Sequence, residues 1–413
     1  MNFKTVPLLF VLFAGQCFGD TDPIADLKKW LAQDPEKRPP IQQQDFASES
    51  LSKYDAKKAA ELLLGDFQGS IRKERKSEWK SKTIDLGNKS MKFEYRIFGE
   101  KPMSGRSLFI SMHGGGGTSA AVNDGQWRNQ IRLYEPKEGV YLAPRAPTNS
   151  WNLWHQNHID QFFERIIEDA IVFEDVDPNK VYIMGYSAGG DGVYQLAPRM
   201  ADSLAAAAMM AGHPNDASPL GLRNIGFTLH MGGKDSAYNR NGVAREWKKK
   251  LAELQKNDPG GYKHEVVIRE KYGHWMNRED RVAVPWMAKF KRNPLPKKIV
   301  WRQASTTHDR FYWLAVDKDQ RKNGSVVVAV RDGNKVNLSK MERVSRVTIR
   351  FNDEMVDMGK AIKVAGPDGI EKEVKVNRTI NTIFKCLSER VDPGAIFYGE
   401  LAVESKQKES NEK

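Results

Sequence analysis

Val181-Tyr182-Ile183-Met184-Gly185-Tyr186-Ser187-Ala188-Gly189-Gly190 sets a short apolar run directly before a Gly-x-Ser-x-Gly turn, and a helical stretch follows. The apolar run reads as a buried strand. A serine on a sharp strand-to-helix turn needs small neighbours, because the backbone folds tightly and the hydroxyl must project outward. Gly185 and Gly189 supply that room. The helix that follows directs amide hydrogens and its positive dipole end toward negative charge developing at the serine. Ser187 is therefore the candidate nucleophile.

Upstream, the apolar run 108–112 leads into His113-Gly114-Gly115-Gly116-Gly117. Backbone amides stabilise a tetrahedral oxyanion only where no side chain blocks approach. The amides of Gly115 and Gly116, with that of Ala188, are the expected oxyanion hole. No lysine follows the glycines in the phosphate-loop arrangement, which sets that rival aside. Downstream, Asp235 stands in Gly232-Gly233-Lys234-Asp235 after the run 227–231, and His274 in Tyr272-Gly273-His274-Trp275 after a further strand. In this order of serine, acid and histidine, His274 is the expected general base and Asp235 the group that fixes its tautomer. Asp216, after the preceding strand, is the reserve acid.

Candidate strands at 83–86, 92–97, 108–112, 140–143, 181–184, 206–210, 227–231 and 265–269 alternate with helical patterns at 160–174, 190–202, 242–255 and 278–291. That texture predicts an α/β class, with a mostly parallel eight-stranded sheet and helices on both faces, over 82–292. Residues 20–80 show helical spacing in Ile24, Leu27, Trp30 and Leu31 and again at 59–64, broken by Pro39-Pro40. They read as a helical N-terminal extension, for packing or partial cover. Pro294 and Pro296 mark a linker, 292–298, where a protease is expected to cut first. Beyond it, short strands at 310–316, 326–331, 344–351, 361–364, 373–376 and 396–403, separated by turns such as Asp332-Gly333-Asn334, predict a smaller all-β, sandwich-like domain over 299–403. Charged residues 404–413 read as a disordered tail.

Lys4, the apolar run 6–14 and Gly19 before Asp20 form the pattern of an export signal over 1–19, so the expected location is secreted or periplasmic. The apolar run is too short to span a bilayer, and no membrane span is expected later. Cys17 would leave with the signal, and Cys386 alone cannot form an internal disulfide. The formal charge of +12 is spread along the chain among 53 acidic residues, a distribution that argues against a nucleic-acid-binding stripe.

Together HGGGG, GYSAGG, GGKDSAY and GHW resemble the α/β-hydrolase superfamily, over about 82–292. The secreted context is similar to bacterial esterases of the poly(3-hydroxybutyrate) depolymerase-like and dienelactone-hydrolase-like group. Dienelactone hydrolases proper carry a cysteine nucleophile, where position 187 here is serine. The resemblance implies a serine esterase acting on a small-molecule or polymeric ester, with no metal or organic cofactor. A peptidase using the same three residues, and a binding protein on a hydrolase fold without turnover, are the alternatives. Tyr186, Trp151, Trp154 and Trp275 are the candidate substrate contacts. His155, His158 and Asp160 carry metal-ligand chemistry in too small a set, so hydrogen bonding or a structural role is expected for them.

Overall fold

The computed structural model of the protein describes residues 22–405. The export segment expected at 1–19 and residues 406–413 of the expected tail lie outside the described residues.

Eight strands form the central sheet: β1 (Thr83–Leu86), β2 (Lys89–Phe98), β3 (Arg106–Met112), β4 (Gly139–Pro144), β5 (Val176–Tyr186), β6 (Ala206–Met210), β7 (Gly226–Gly232) and β8 (His264–Arg269). Their spatial order is β1-β2-β4-β3-β5-β6-β7-β8. Pairing is antiparallel at β1/β2 and β2/β4, and parallel from β4 through β8. Every residue of β4, β6 and β7 is buried, which explains why these strands read as continuous apolar runs: helices cover both faces. This order, with the Gly-x-Ser-x-Gly turn leaving β5, is that of the α/β-hydrolase fold. Register places the site. Met112 pairs with Gly185 and Gly185 with Met209, so β3, β5 and β6 end at one level and their exit loops meet.

The N-terminal extension forms α1 (Pro23–Leu31), α2 (Asp45–Ser48), α3 (Lys53–Glu74) and α4 (Lys76–Ser81), and the sheet is covered by α5 (Ala120–Gln130), α6 (His158–Glu174), α7 (Ala188–Arg199), α8 (Arg240–Asn257) and α9 (Ala283–Met287). Two helices differ from expectation. No apolar stripe announced α5, whose buried residues are Asn123 and Gln130. The helix expected over 278–291 is a 3-10 turn, Glu279–Val282, followed by the five-residue α9, in which Pro285 removes an amide from the ladder. Among the described residues no helix is long and apolar enough to cross a membrane.

The C-terminal region contains β9 (Lys298–Arg302), β10 (Arg310–Phe311), β11 (Leu314–Ala315), β12 (Val326–Asp332), β13 (Lys335–Glu342), β14 (Arg346–Phe351), β15 (Ile362–Ala365), β16 (Glu371–Val374), α10 (Ile380–Glu389) and β17 (Gly399–Glu404). They build two sheets, β16-β15-β13-β12-β9 and β10-β11-β14-β17, which share a core including Val327, Leu338, Val347 and Ile349. The all-β expectation is corrected by α10, whose buried Ile380, Ile383 and Leu387 recur at helical spacing and pack against Leu27, Trp30 and Leu63 of the extension. The extension therefore packs on α10 and contributes no residue to the clefts at Ser187. Glu404 ends β17, so the tail cannot begin there.

The expected open linker is corrected as well: Leu295 and Pro296 are buried, and Arg292 sits in a seam between the two regions. Its Nη1 and Nη2 donate to Asp392 at 2.6 and 2.8 Å, its Nη1 also to the Asp202 carbonyl at 2.8 Å. Arg390 donates to Asp202 Oδ2 at 2.8 Å from the same side. Burial opposes ionisation of Asp392, yet Arg292 and Arg390 hold its carboxyl down at about 2. A depressed carboxyl contributes stability above its ordinary value of 3.8, and that stability is lost as pH falls from there toward 2. Asp392→Ala leaves a buried guanidinium uncompensated, with an expected loss of about 3–5 kcal/mol in chemical denaturation at neutral pH. Glu342→Ala, which breaks the exposed Lys340 pair, is expected to leave the denaturation midpoint close to that of the parent protein, because solvent screens that pair.

Candidate active site

Ser187 leaves β5 with φ 58° and ψ −121°. Its amide donates to the Met210 carbonyl of β6 at 2.9 Å, and its carbonyl accepts from Asp191 in the first turn of α7 at 3.0 Å. Glycine at 189 makes this approach feasible: a Cβ there would collide with the Met112 carbonyl oxygen at the end of β3. The start of α7 thus rests directly on the strand ends, and the serine is left facing out.

Asp235 and His274 come together through the loops after β7 and β8. The Gly233 amide donates to the Arg269 carbonyl at 2.8 Å and that of Lys234 to the Tyr272 carbonyl at 2.9 Å. A Cβ at Gly232 would collide with the Gly273 carbonyl, so this close seam needs glycine there. His274 Nδ1 lies 2.7 Å from Asp235 Oδ2, and Nε2 lies 3.0 Å from Ser187 Oγ. An ionised carboxylate only accepts, so Nδ1 carries the hydrogen and Nε2 is left to accept from the serine. The Asp235 side chain is 2% exposed and that of His274 42%, so the acid is sealed in while the imidazole edge stays open. Tyr186 donates its hydroxyl to the His274 carbonyl at 2.5 Å and accepts from the Met276 amide at 3.1 Å, tying the histidine loop to β5. The reserve acid Asp216 points elsewhere, accepting from Gln195 Nε2 at 2.9 Å.

Gly115, Gly116 and Gly117 all have positive φ, at 105°, 80° and 61°. The expected role of the Gly116 amide is corrected, because it donates to Asn123 Oδ1 at 2.9 Å and is already engaged. Two amides remain for an oxyanion. That of Gly115 makes none of the backbone bonds of the turns and loops. That of Ala188 is the first of α7, where the opening amides have no acceptor within the helix. Asn123, fully buried, is a residue the sequence reading missed. Its Nδ2 donates to the Thr118 and Ser119 carbonyls and to Asn149 Oδ1 at 3.1–3.3 Å, so the one side chain braces the glycine loop from both ends. His113 supports the loop from beneath: Nδ1 donates to the Gly114 carbonyl at 2.6 Å and Nε2 accepts from the Ala146 amide at 3.2 Å. Burial lowers its pKa to about 4 and keeps it neutral.

Two clefts open on Ser187. The first, about 630 Å³, is lined by Tyr186, His274 and Trp275 among others; the second, about 520 Å³, by Trp151, Ala188, Asp191 and Tyr238 among others. Trp151, Trp275 and Tyr186 thus border the site as expected positions for substrate contact. Trp154 does not. It is fully buried, donates Nε1 to the His113 carbonyl at 2.8 Å, and packs its ring against that histidine, so it supports the loop. His155 and His158 line neither cleft. Asp160 is buried and accepts from Arg199 Nε and Nη2 at 2.7 and 2.6 Å, with His308 Nε2 at 3.2 Å, a link to the C-terminal region. Among the described residues no three potential ligands gather as a metal site.

No protein-family model and no curated protein matches the chain. Solved structures do. A thermostable esterase is 20% identical with a TM-score of 0.40, over 51% of this chain and 62% of its own, so the chain spans less than two thirds of that protein. Thermogutta terrifontis esterase 2 is 18% identical with a TM-score of 0.36, over 50% of this chain and 89% of its own. A carboxylesterase from Mesorhizobium loti is 16% identical with a TM-score of 0.34, over 50% and 99%.

Asn123→Ala is expected to free the Gly116 amide and loosen the loop that carries Gly115. On any substrate that Ser187 turns over, the result should be a fall in kcat of roughly tenfold to a hundredfold with little change in KM, less than the direct loss of an oxyanion donor. A variant with unchanged kcat would show that the loop holds its shape without the brace.

Proposed function

We propose that the protein is a serine hydrolase that cleaves carboxylic esters through an acyl-enzyme on Ser187. The observation that carries this reading is the unbroken hydrogen-bonded line from Asp235 Oδ2 through His274 to Ser187 Oγ, opening into two clefts. As Oγ attacks the ester carbonyl, His274 Nε2 takes its proton, while Asp235 keeps the ring oriented and supports the imidazolium. The amides of Gly115 and Ala188 receive the charge that develops on the carbonyl oxygen. Collapse breaks the bond to the alcohol, which leaves with the proton from His274. Water then attacks the acyl carbon, gives its proton to His274, and releases the acid with Ser187 restored. Each step uses groups of this chain and water. The preference for esters over amides rests on the resemblance of the motifs, taken with the export pattern, to secreted bacterial esterases; the three residues themselves serve either reaction. Export to the periplasm or cell exterior is part of the proposal and is supported by the pattern of Lys4, the apolar run 6–14 and Gly19.

A fluorophosphonate is expected to label the purified protein at Ser187 in stoichiometric amount, and Ser187→Ala to abolish both labelling and turnover without unfolding. Labelling at another serine would sink the assignment. A panel of p-nitrophenyl esters and aminoacyl nitroanilides tests ester against amide, with turnover expected on the esters.

Asp235→Asn is expected to lower kcat by on the order of 10³–10⁴ with little effect on KM, since asparagine favours the wrong tautomer of His274. Asp216→Asn, remote from the histidine, should change kcat little. Steady-state kinetics of both on one activated ester make the comparison.

A further inference from the structure

The cleft on the His274 side carries a charge pattern that the hydrolytic steps do not use. Its walls include Arg132 and Arg278, the neutral amides of Gln126 and Asn129, and no carboxylate. Among the described residues neither guanidinium makes an ion pair or a side-chain hydrogen bond. Most arginines elsewhere are committed: Arg145 to Asp124, Arg199 to Asp160, Arg223 to Asp258, Arg292 to Asp392. The carboxylate of Asp280, two residues after Arg278, feels the charges of Arg269 and Arg278, but it is buried against the Tyr134 hydroxyl and does not line the cleft. Glu279 is exposed but does not line the cleft.

The direction of the reaction decides which half of an ester meets these arginines. The departing alcohol oxygen must reach His274 Nε2 to collect its proton. His274 lines this cleft and not the other; Gly115 borders both, and Ala188 borders only the other. The alcohol half therefore occupies the cleft with Arg132 and Arg278, and the acyl half occupies the cleft with Trp151 and Tyr238.

We propose that Arg132 and Arg278 select esters whose alcohol half carries a carboxylate. The proposal rests on the hydrolase reading and names its substrate class. A guanidinium binds a carboxylate through paired charge-assisted hydrogen bonds. Both side chains are exposed, so the attraction is screened by salt.

The test uses acetate esters of three phenols with matched leaving groups: 4-hydroxyphenylacetate, 4-hydroxyphenylacetamide and tyramine, which are anionic, neutral and cationic. The expected kcat/KM is roughly tenfold higher for the anionic than for the neutral ester, lowest for the cationic one, and the ratios converge at about 0.5 M salt. Arg132→Gln with Arg278→Gln should bring the anionic-to-neutral ratio close to one. Equal rates for the three esters, or a preference that survives in the double variant, would overturn the proposal. So would a preference that appears only when the carboxylate is moved to the acyl half. Calorimetric binding of 4-hydroxyphenylacetate, the product alcohol, separates the two readings. Binding that is lost in the double variant supports the cleft assignment even if no ester is turned over, and absence of binding to the wild type counts against it even if neutral esters react.

Discussion

At Ser187 the backbone is held at φ 58°, a conformation that costs an ordinary residue about 1–3 kcal/mol and persists only where its surroundings over-determine it. Here the surroundings are three strand ends at one level. β6 supplies the Met210 carbonyl to the serine amide, β3 stops where a glycine and nothing larger can pass, and α7 starts at once, leaving its first amides turned outward. Moving any of the three strands by one residue would separate Ser187, the glycine loop and the helix start together. The site is therefore a property of sheet register, with side chains added to it.

The central sheet was legible because β3, β4, β6 and β7 are buried on both faces, while β5 and β8, less completely covered, still carry the short apolar runs 181–184 and 266–268. Ser187, Asp235 and His274 were legible because each sits in the first loop after such a run. What was hidden was whatever depends on polar residues turned inward. Helix α5 buries Asn123 and Gln130 where a periodic reading looks for apolar residues, and with it the brace of the glycine loop stayed out of sight. Gly116 was given a free amide for the same reason, since its acceptor lies on that helix. Trp154 was placed among substrate contacts because a tryptophan in a connection before a helix gives no sign of which way it faces. In the C-terminal region, α10 is legible in principle from Ile380, Ile383 and Leu387, but it lies between the expected strands 373–376 and 396–403, in a stretch to which the sequence reading assigns no element.

The seam around Arg292 and Asp392 and the pairing of Asp160 with Arg199 and His308 bind the C-terminal region to α6, to the far end of α7 and to the first residues of β5, the last two being the elements that flank Ser187. Proline-rich composition at 292–298 suggested freedom between two bodies. Prolines instead set a bend in which Arg292, Leu295 and Pro296 are buried, and the aromatic core runs through it: Trp313 donates to the Pro296 carbonyl and Tyr312 to the Ala201 carbonyl. The C-terminal region is in this sense a buttress for the helix that begins after Ser187.

The packing of α10 against α1 and α3 also sets an order of events. Leu51 donates its amide to the Arg378 carbonyl, and Ser48 accepts from Asn381, 333 positions later in the chain. A ribosome makes Asn381 only after the 332 residues between it and Ser48. Until residues 380–389 emerge, Leu27, Trp30 and Leu63 lack the surface that covers them, so the earliest helices of the chain are among the last to reach their final packing. The apolar faces of α1 and α3 are thus made well before the helix that covers them.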